Sequence, residues 1–332
     1  MRIGLIDIDY NGSFPNIPLM KISAWKKSQG HTVEWYMPFG DRYDAVYISK
    51  IFSWSKDYTD VINADIVWRG GSGYQIKMQD GKEVWDNMVL DQSTFYTQLL
   101  DEVEHIYPDY SLYPTLTKNT AYGFLTRGCP RKCSFCHVAA KEGTISRKVA
   151  DLSEFWNGQK NIVICDPNIL ACKDWKPLLQ QLIDSRAYVD INQGLDARML
   201  TPEKCEMLNR IKMRDVHFAW DRYEDKKRVI TGLKMFADRS LLVGKRHKAI
   251  VYILVNYSTT IDQDLERIYT VRDMGFVPYV MIYDKAHASH IYTDLACWAN
   301  NKYIINKCPS FDQYDHRIKN SNENQNQQLE IF

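Results

Sequence analysis

The chain has 332 residues, about twice the length of an ordinary domain, so length alone predicts one large domain or two ordinary ones. Apolar residues make up 45% of the chain and charged residues 25%, a balance typical of globular proteins and not of disordered or fibrous ones. The 42 basic and 41 acidic side chains leave a formal net charge of +1, which gives no general reason to expect a nucleic acid or an anionic membrane as partner.

Two features of the chain bear on its location. The longest apolar run, at 249–255, is far shorter than the roughly 20 residues that a membrane-spanning helix requires. Asp7 places an acidic side chain too close to the start for a secretory signal. We therefore expect a soluble, cytoplasmic protein with no membrane partner.

Residues 1–105 predict a separate α/β block. Its predicted elements are strands at 2–7, 31–36, 45–48 and 64–68 and an amphipathic helix at 19–29. The glycine-rich segment at 70–73 can cradle a phosphate, but it lacks the spacing of a dinucleotide-binding or P-loop motif. Residues 106–119 contain two prolines and few periodic signals, and we predict a linker there.

Between residues 120 and 310, apolar runs alternate with amphipathic stretches, which is the pattern of repeated βα units. The predicted strands are 122–126, 160–165, 187–192, 215–220, 249–255 and 277–283. The predicted helices are 175–185, one that starts at Pro202 after the N-cap Thr201, and 261–275. Six such units fit an incomplete (β/α)6 TIM-like barrel. Residues 311–332 predict a polar, partly disordered tail.

Polar side chains follow the predicted strands two to six. They are Asp166, Asn168, Gln193, Asp196, Arg198, Asp221, Asn256 and Asp284. A single residue of this kind can equally be a helix cap or a loop residue. In a parallel α/β barrel, however, the carboxyl ends of the strands line the active site, and polar groups at so many strand ends favour a binding site there.

Three of the 8 cysteines, Cys129, Cys133 and Cys136, lie in one short loop. A long chain without an export signal is not a typical disulfide scaffold, and an odd trio leaves one thiol unpaired. Thiolates select zinc or iron–sulfur clusters, and zinc usually takes four ligands. No second C-x-x-C pair is present, and His137 is awkwardly placed as a fourth ligand because it directly follows Cys136. A four-iron cluster on three cysteines leaves one iron open.

The C-x-x-x-C-x-x-C spacing, with Phe135 before the last cysteine and T-R-G-C-P around the first, resembles the signature of radical S-adenosylmethionine (radical SAM) enzymes. The block at 1–105 resembles the Rossmann-like domain of members that carry a cobalamin-binding-type domain. The resemblance implies an α/β fold in which an N-terminal Rossmann-like domain precedes an incomplete (β/α)6 barrel.

The resemblance also implies cofactors and partners. A 4Fe–4S cluster would be held by Cys129, Cys133 and Cys136, and its open iron would chelate S-adenosylmethionine. An electron from a donor such as flavodoxin or ferredoxin would then generate a 5′-deoxyadenosyl radical, which abstracts hydrogen from the substrate. The substrate remains open between a small molecule, a peptide and a tRNA, and no catalytic side chain is assigned.

The same resemblance implies contacts to S-adenosylmethionine. Phe135 matches the aromatic residue against the adenine. Asp166-Pro167-Asn168 stands where many members have Gly-Gly-Glu for the methionine amino group; that motif is absent, and Asp166 is the candidate in its place. Arg198 is a candidate for the methionine carboxylate, or else forms a structural ion pair with Asp196. The remaining candidate contacts are Asn168, Gln193, Asp221, Asn256 and Ile282, the last within the segment 279–283.

Alternatives remain. No D-x-H-x-x-G motif marks a cobalamin site, so cobalamin is possible but not favoured, and residues 1–105 are expected to be vestigial or to face the substrate. A cobalamin-dependent methyltransferase and a non-catalytic, zinc-stabilised binding protein are the competing functions. The other cysteines lack ligand spacing, so a second cluster is not expected; Cys165 is predicted in the core, and Cys172 in the core or as a substrate-handling thiol.

Overall fold

In the computed structural model, residues 1–79, 82–86, 95–96, 99–244 and 248–315 are described. They form two compact units, Met1–Asp190 and Ile191–Phe332. Helices and parallel sheets are mixed along the chain, so the α/β class expected from the sequence is confirmed. Of the predicted tail, Phe311–Gln313 forms a 3-10 turn, and 316–332 lie outside the described residues.

The first unit contains the following strands and helices. The strands are β1 (Arg2–Asp7), β2 (Thr32–Trp35), β3 (Tyr43–Ser49), β4 (Ala64–Gly70), β5 (Ile76–Gln79), β6 (Lys82–Trp85), β7 (Phe95–Tyr96), β8 (Thr120–Gly123), β9 (Thr126–Arg127), β10 (Arg147–Lys148), β11 (Asn161–Ile164) and β12 (Tyr188–Ile191), which ends at the boundary between the units. The helices are α1 (Ile17–Ser28), α2 (Ser72–Gln75), α3 (Asp101–Glu104), α4 (Pro114–Thr117), α5 (Val138–Glu142) and α6 (Trp175–Ser185).

The N-terminal sheet is parallel throughout, with the order β2-β1-β3-β4-β7. Its central strand β3 is buried almost continuously, as expected for a parallel strand that is covered on both faces. Helix α1 begins at Ile17, slightly before the predicted start, because the Asn16 side chain accepts a hydrogen bond from the Leu19 amide at 3.1 Å. Because β1 and β3 are parallel neighbours, their carboxyl ends lie at the same edge of the sheet. The strand order reverses between these two strands.

A second sheet of the first unit has the order β12-β11-β8, in which β8 and β11 are parallel. One hydrophobic core includes Ile3 and Leu5 of the N-terminal sheet together with Tyr122 and Cys165 beside the second sheet. The segment 106–119, predicted as a linker, contains a 3-10 turn and α4, and contributes buried residues to the same core. The two sheets of this unit thus share their apolar interior.

The predicted strand at 122–126 is wrong in its continuity, because β8 ends at Gly123 and β9 begins at Thr126. The amides of Leu125 and Thr126 donate to the carboxylate of Asp166 instead of to a neighbouring strand. After this break, β9 pairs antiparallel with β10. Residues 128–146 consequently form a loop, here named the cysteine loop, closed by a two-stranded stem.

The second unit contains one parallel sheet of order β13-β14-β15-β16. Its strands are β13 (Leu195–Asp196), β14 (Val216–Ala219), β15 (Ala249–Val255) and β16 (Val277–Ile282). Its helices are α7 (Pro202–Arg210), α8 (Lys226–Ala237), α9 (Ile261–Asp273), α10 (His290–Ala299) and α11 (Lys302–Lys307). The start of α7 after the N-cap Thr201 agrees with the prediction, whereas the short strand β13 was not predicted.

Helix α9 buries two charged residues beside two apolar ones. Its buried residues are Asp264, Arg267, Ile268 and Val271. The charged residues Asp264 and Arg267 form a pair whose hydrogen bonds satisfy buried backbone carbonyls, as described below. Among the described residues, no helix is both long and apolar enough to cross a membrane.

Candidate functional site

The cysteine loop starts with a close backbone approach. Gly128 has a φ of 85°, a left-handed conformation that favours glycine, and a Cβ at this position would lie 2.3 Å from the Ile145 carbonyl oxygen. The next residue, Cys129, donates its N–H to the Gly143 carbonyl at 3.1 Å. The first cysteine is therefore held at the mouth of the stem by contacts between the two ends of the loop.

The other two cysteines lie on a turn farther along the loop. The Cys136 N–H donates to the Cys133 carbonyl at 3.0 Å, directly after Lys132 adopts a φ of 48°. Cys129 and Cys133 are partly buried, Cys136 is exposed, and none of the three is in a disulfide. Phe135, predicted to face the adenine, is partly buried between the last two cysteines in sequence. One turn-rich segment thus contains three cysteines that form no disulfide.

The segment after β11 supports the cysteine loop at two points. Asp166 is 1% exposed, and its carboxylate accepts the Leu125 N–H at 2.7 Å, the Thr126 N–H at 2.8 Å and the Thr126 hydroxyl at 2.7 Å. Asn168 donates from Nδ2 to the Cys129 Sγ at 3.7 Å, and its carbonyl accepts the Ser146 hydroxyl at 2.9 Å. Both residues predicted at this strand end therefore contact the loop or the strand that leads into it.

Asp166 is held by residues of its own unit. Burial raises its pKa to about 7, against the hydrogen bonds from Thr126 and Leu125, which favour the ionised form. Because both carboxyl oxygens are engaged, the geometry makes Asp166 a residue that positions the strand before the cysteines. Its predicted contact with the methionine amino group stays a prediction.

An ion-pair network that the sequence reasoning missed surrounds the start of the loop. The Arg127 guanidinium lies 3.0 Å from Glu142 and 3.0 Å from Glu104, and it packs 4.0 Å from the centroid of the Phe124 ring. Glu142 also accepts the Gly128 N–H at 3.1 Å. The position of Arg127 beside the first cysteine could have marked it as a site residue. Its ion pairs could not be predicted, because both partners are distant from that segment in sequence.

The three cysteines of the loop match in number and chemistry the thiolate ligands of an iron–sulfur cluster with one open iron. Within the described ranges, no three His, Cys, Asp or Glu side chains converge as the ligands of one metal ion do. The cysteines of a four-iron cluster each bind a different iron, so they surround a larger body than one ion. Three cysteines outside any disulfide supply such thiolates on one loop, and His137 lies 3.3 Å from Glu83.

Two further cysteines near the site are buried. Cys165 is 7% exposed and belongs to the hydrophobic core, as predicted, and burial raises its pKa to about 12. Cys172 is 1% exposed, and burial also raises the pKa of its thiol. The thiol of Cys172 therefore has no access to a substrate, which removes the basis for a substrate-handling role.

In the second unit, Arg198 forms the ion pair that the sequence left open as an alternative. Its Nε lies 2.7 Å from Asp196 Oδ1, its Nη2 lies 3.2 Å from Asp196 Oδ2, and Nη1 binds Asp225. This bidentate arrangement occupies most of the guanidinium donors. The predicted contact with the methionine carboxylate stays a prediction.

A second buried pair, Arg267 with Asp264, joins the carboxyl ends of β14 and β15. Arg267 is 0% exposed and donates to the Trp220 carbonyl at 2.7 Å, the Leu254 carbonyl at 2.6 Å and Asp264 at 2.5 Å. Asp264 in turn accepts the Asn256 N–H at 3.2 Å. The i, i+3 spacing of opposite charges in α9 could have indicated this ion pair. Its burial was missed because charged residues are usually exposed.

The remaining predicted residues of the second unit differ in their surroundings. Asn256 donates from Nδ2 to the Tyr283 carbonyl at 3.1 Å and so links the ends of β15 and β16. Gln193 is exposed, and Ile282 is partly buried at the end of β16. Asp221 is partly exposed, burial raises its pKa to about 6, and its carboxyl has no hydrogen-bond partner in the described part of the chain.

Comparison with known proteins adds no family to this picture. No protein-family model matches the chain, and a search among curated proteins gives no match. The functional conclusion therefore rests on the residues of the cysteine loop and the contacts that hold it.

Proposed function

We propose that this protein is a radical SAM enzyme that abstracts hydrogen from its substrate. The observation that carries the proposal is the contact between Asn168 and Cys129. The family resemblance assigns both the cysteine loop and the end of the following strand to the cofactor. These two segments meet in the first unit through this contact.

Cys129, Cys133 and Cys136 are the proposed ligands of the 4Fe–4S cluster. When bound, this cluster supplies the electron for reductive cleavage of S-adenosylmethionine at its open iron. Asn168 donates a hydrogen bond toward the Cys129 sulfur, and such bonds stabilise thiolate charge and tune the reduction potential of a cluster. Phe135 is the proposed contact of the adenine.

Further residues support the loop and the backbone that leads into it. Asp166 orients the strand before Cys129, and Arg127 with Glu142 fixes the backbone at Gly128. Preorganised supports of this kind decide how accurately a site holds its ligands. The proposal includes reduction by a protein donor such as flavodoxin or ferredoxin.

The finer fold assignment belongs to the same proposal. The parallel order β2-β1-β3-β4-β7 is consistent with a Rossmann-like domain, and it is the first support for this assignment. The parallel strands between 120 and 310, each followed by polar residues, support an incomplete (β/α)6 barrel. The contacts predicted for Gln193, Arg198, Asp221, Asn256 and Ile282 remain part of the hypothesis.

The test is anaerobic reconstitution of the full chain with iron and sulfide. We expect about four irons per chain, and release of 5′-deoxyadenosine when S-adenosylmethionine and dithionite are added. A triple variant, with Cys129, Cys133 and Cys136 changed to Ala, should lose both. The matched control is Cys297→Ala, which removes a partly buried cysteine of the second unit and should lose neither.

Three outcomes would contradict the proposal. Colourless protein with stoichiometric zinc would support the zinc-stabilised binding protein. Equal iron content in the wild type and the triple variant would remove the cysteines as ligands. A corrinoid absorbance in purified protein, together with methyl transfer, would replace the proposal by the cobalamin-dependent methyltransferase.

A further inference from the structure

A cavity of about 610 Å³ lies within the first unit, at the carboxyl edge of the N-terminal sheet. Small-molecule sites commonly have volumes of roughly 300–1,000 Å³ and combine apolar walls with a few polar groups. Ligands of open parallel sheets bind outside the carboxyl ends of the strands. Ser49 at the end of β3 and Gly70 at the end of β4 both line this cavity, so its position matches that rule.

Part of the cavity lining is apolar. Its apolar residues include Pro18, Leu19, Ile22, Ile51, Leu99 and Val149. A further stretch of wall is backbone at 70–72, where Gly71 has a φ of 101° and a Cβ would lie 2.2 Å from the Lys50 carbonyl oxygen. Glycine at position 71 thus permits the close approach of this backbone to Lys50.

The lining also contains charged side chains, and their charges are unequally paired. Arg127 is neutralised by Glu104 and Glu142, and Lys148 lies 2.6 Å from Asp151. Lys141 also lines the cavity, yet its ammonium has no hydrogen bond or ion pair with any residue in the described ranges. Among the described residues that line the cavity, Lys141 is thus a partly buried cation without an anion, whereas Arg147 is exposed and donates to the Glu142 carbonyl.

We propose that this cavity binds a small molecule that has one anionic group, a carboxylate or a phosphate, and an apolar body, with Lys141 binding the anion. The apolar body would contact Leu19, Ile22 and Leu99. This inference goes beyond the proposed function and does not depend on it, since none of these residues is a proposed cluster ligand.

The energetics agree with this geometry. Burial lowers the pKa of Lys141, and the neighbouring Arg127 lowers it further, while Glu142 and Glu104 raise it. An unpaired ammonium is costly to keep in such surroundings, and an anion at hydrogen-bond distance would offset that cost. The Lys141 ammonium would repel a cationic ligand at this position.

The experiment uses the full chain and two fluorescent probes of similar shape. The anionic probe is 8-anilinonaphthalene-1-sulfonate, and the neutral probe is N-phenyl-1-naphthylamine. We expect wild-type protein to bind both probes. Lys141→Met should weaken the affinity for the anionic probe about tenfold, because one charge-assisted hydrogen bond is lost. Its effect on the affinity for the neutral probe should be less than about twofold. Lys141→Arg should retain the anionic probe within about threefold.

Two controls separate the cavity from other surfaces. Lys148→Met removes a lysine of the same wall that is already paired, and it should leave both probes unaffected. Leu99→Trp fills the cavity from its apolar side and should abolish binding of both probes, with circular dichroism confirming that the variant is folded. Absence of probe binding to the wild type, unchanged affinity in Lys141→Met, or an equal loss of both probes in that variant would overturn the inference.

Discussion

Replacement of Gly128 by Ala is the sharpest test of how the cysteine loop is held. The new Cβ would lie 2.3 Å from the Ile145 carbonyl oxygen, far inside van der Waals contact, and φ there is 85°. Gly158 provides a matched control because its φ is 84° and nothing lies within 4 Å of the Cβ position. The two variants share the dihedral strain and differ in the steric overlap.

The expected magnitudes follow from these contacts. A left-handed alanine costs about 1–2 kcal/mol, which is the whole effect expected for Gly158→Ala. In Gly128→Ala the backbone must also move away from Ile145. That movement breaks the Cys129–Gly143 hydrogen bond and the contact of the Gly128 N–H with Glu142. These losses add about 2–4 kcal/mol, since a bond to a charged acceptor is worth more than a neutral one.

The assay is hydrogen–deuterium exchange of the peptide that covers residues 128–146. A local destabilisation of about 3 kcal/mol raises the exchange rate of its protected amides roughly a hundredfold. In reconstituted protein we also expect lower iron content in Gly128→Ala, since Cys129 is displaced from Asn168. The peptide 128–146 should exchange faster in Gly128→Ala than in Gly158→Ala. If its exchange rate is the same in both variants, the close approach to Ile145 does not hold the loop.

Three further predictions concern buried charges and thiols. Arg267→Met should lower the free energy of unfolding of the second unit by about 3–5 kcal/mol in urea titrations, because it leaves the Asp264 carboxylate buried and unpaired; a loss below about 1 kcal/mol would contradict this. Because the folded-state pKa of Asp166 is raised to about 7 from 3.8, the stability of the first unit should decline as pH rises from about 4 to about 7, by at most about 1.4 kcal/mol per pH unit, and Asp166→Asn should lack this decline. At pH 8 iodoacetamide should label exposed Cys136 well before Cys165, whose pKa burial raises to about 12, and equal labelling in peptide mass spectra would be the contrary result.

Periodicity in the sequence was sufficient where one face of an element meets water and the other an apolar core. Helix α6 and strand β15 lie at their predicted positions, 175–185 and 249–255, and the N-cap of α7 was predicted from Thr201. These elements are specified by local patterns of apolar side chains and capping hydrogen bonds. The placement of polar residues after strands could be predicted on the same basis.

Features that depend on partners distant in sequence could not be predicted in this way. The strand at 122–126 breaks because Asp166, 40 positions after Thr126, accepts two of its amides. The buried face of α9 contains Arg267 because carbonyls from two other strands need its donors. The cysteine trio was visible in the sequence, but the reason that Gly128 stands before it appears only when Ile145 is brought alongside.

The shared core of the first unit limits where this chain can be divided. Tyr113 and Leu112, just before β8, pack into the same apolar interior as Ile3 and Leu5. A fragment that begins at residue 120 would therefore expose Tyr122 and Cys165 to water, and truncation at the predicted linker would remove part of the interior that supports β8. A fragment intended to isolate the cysteine loop should retain the N-terminal sheet, since both belong to one compact unit.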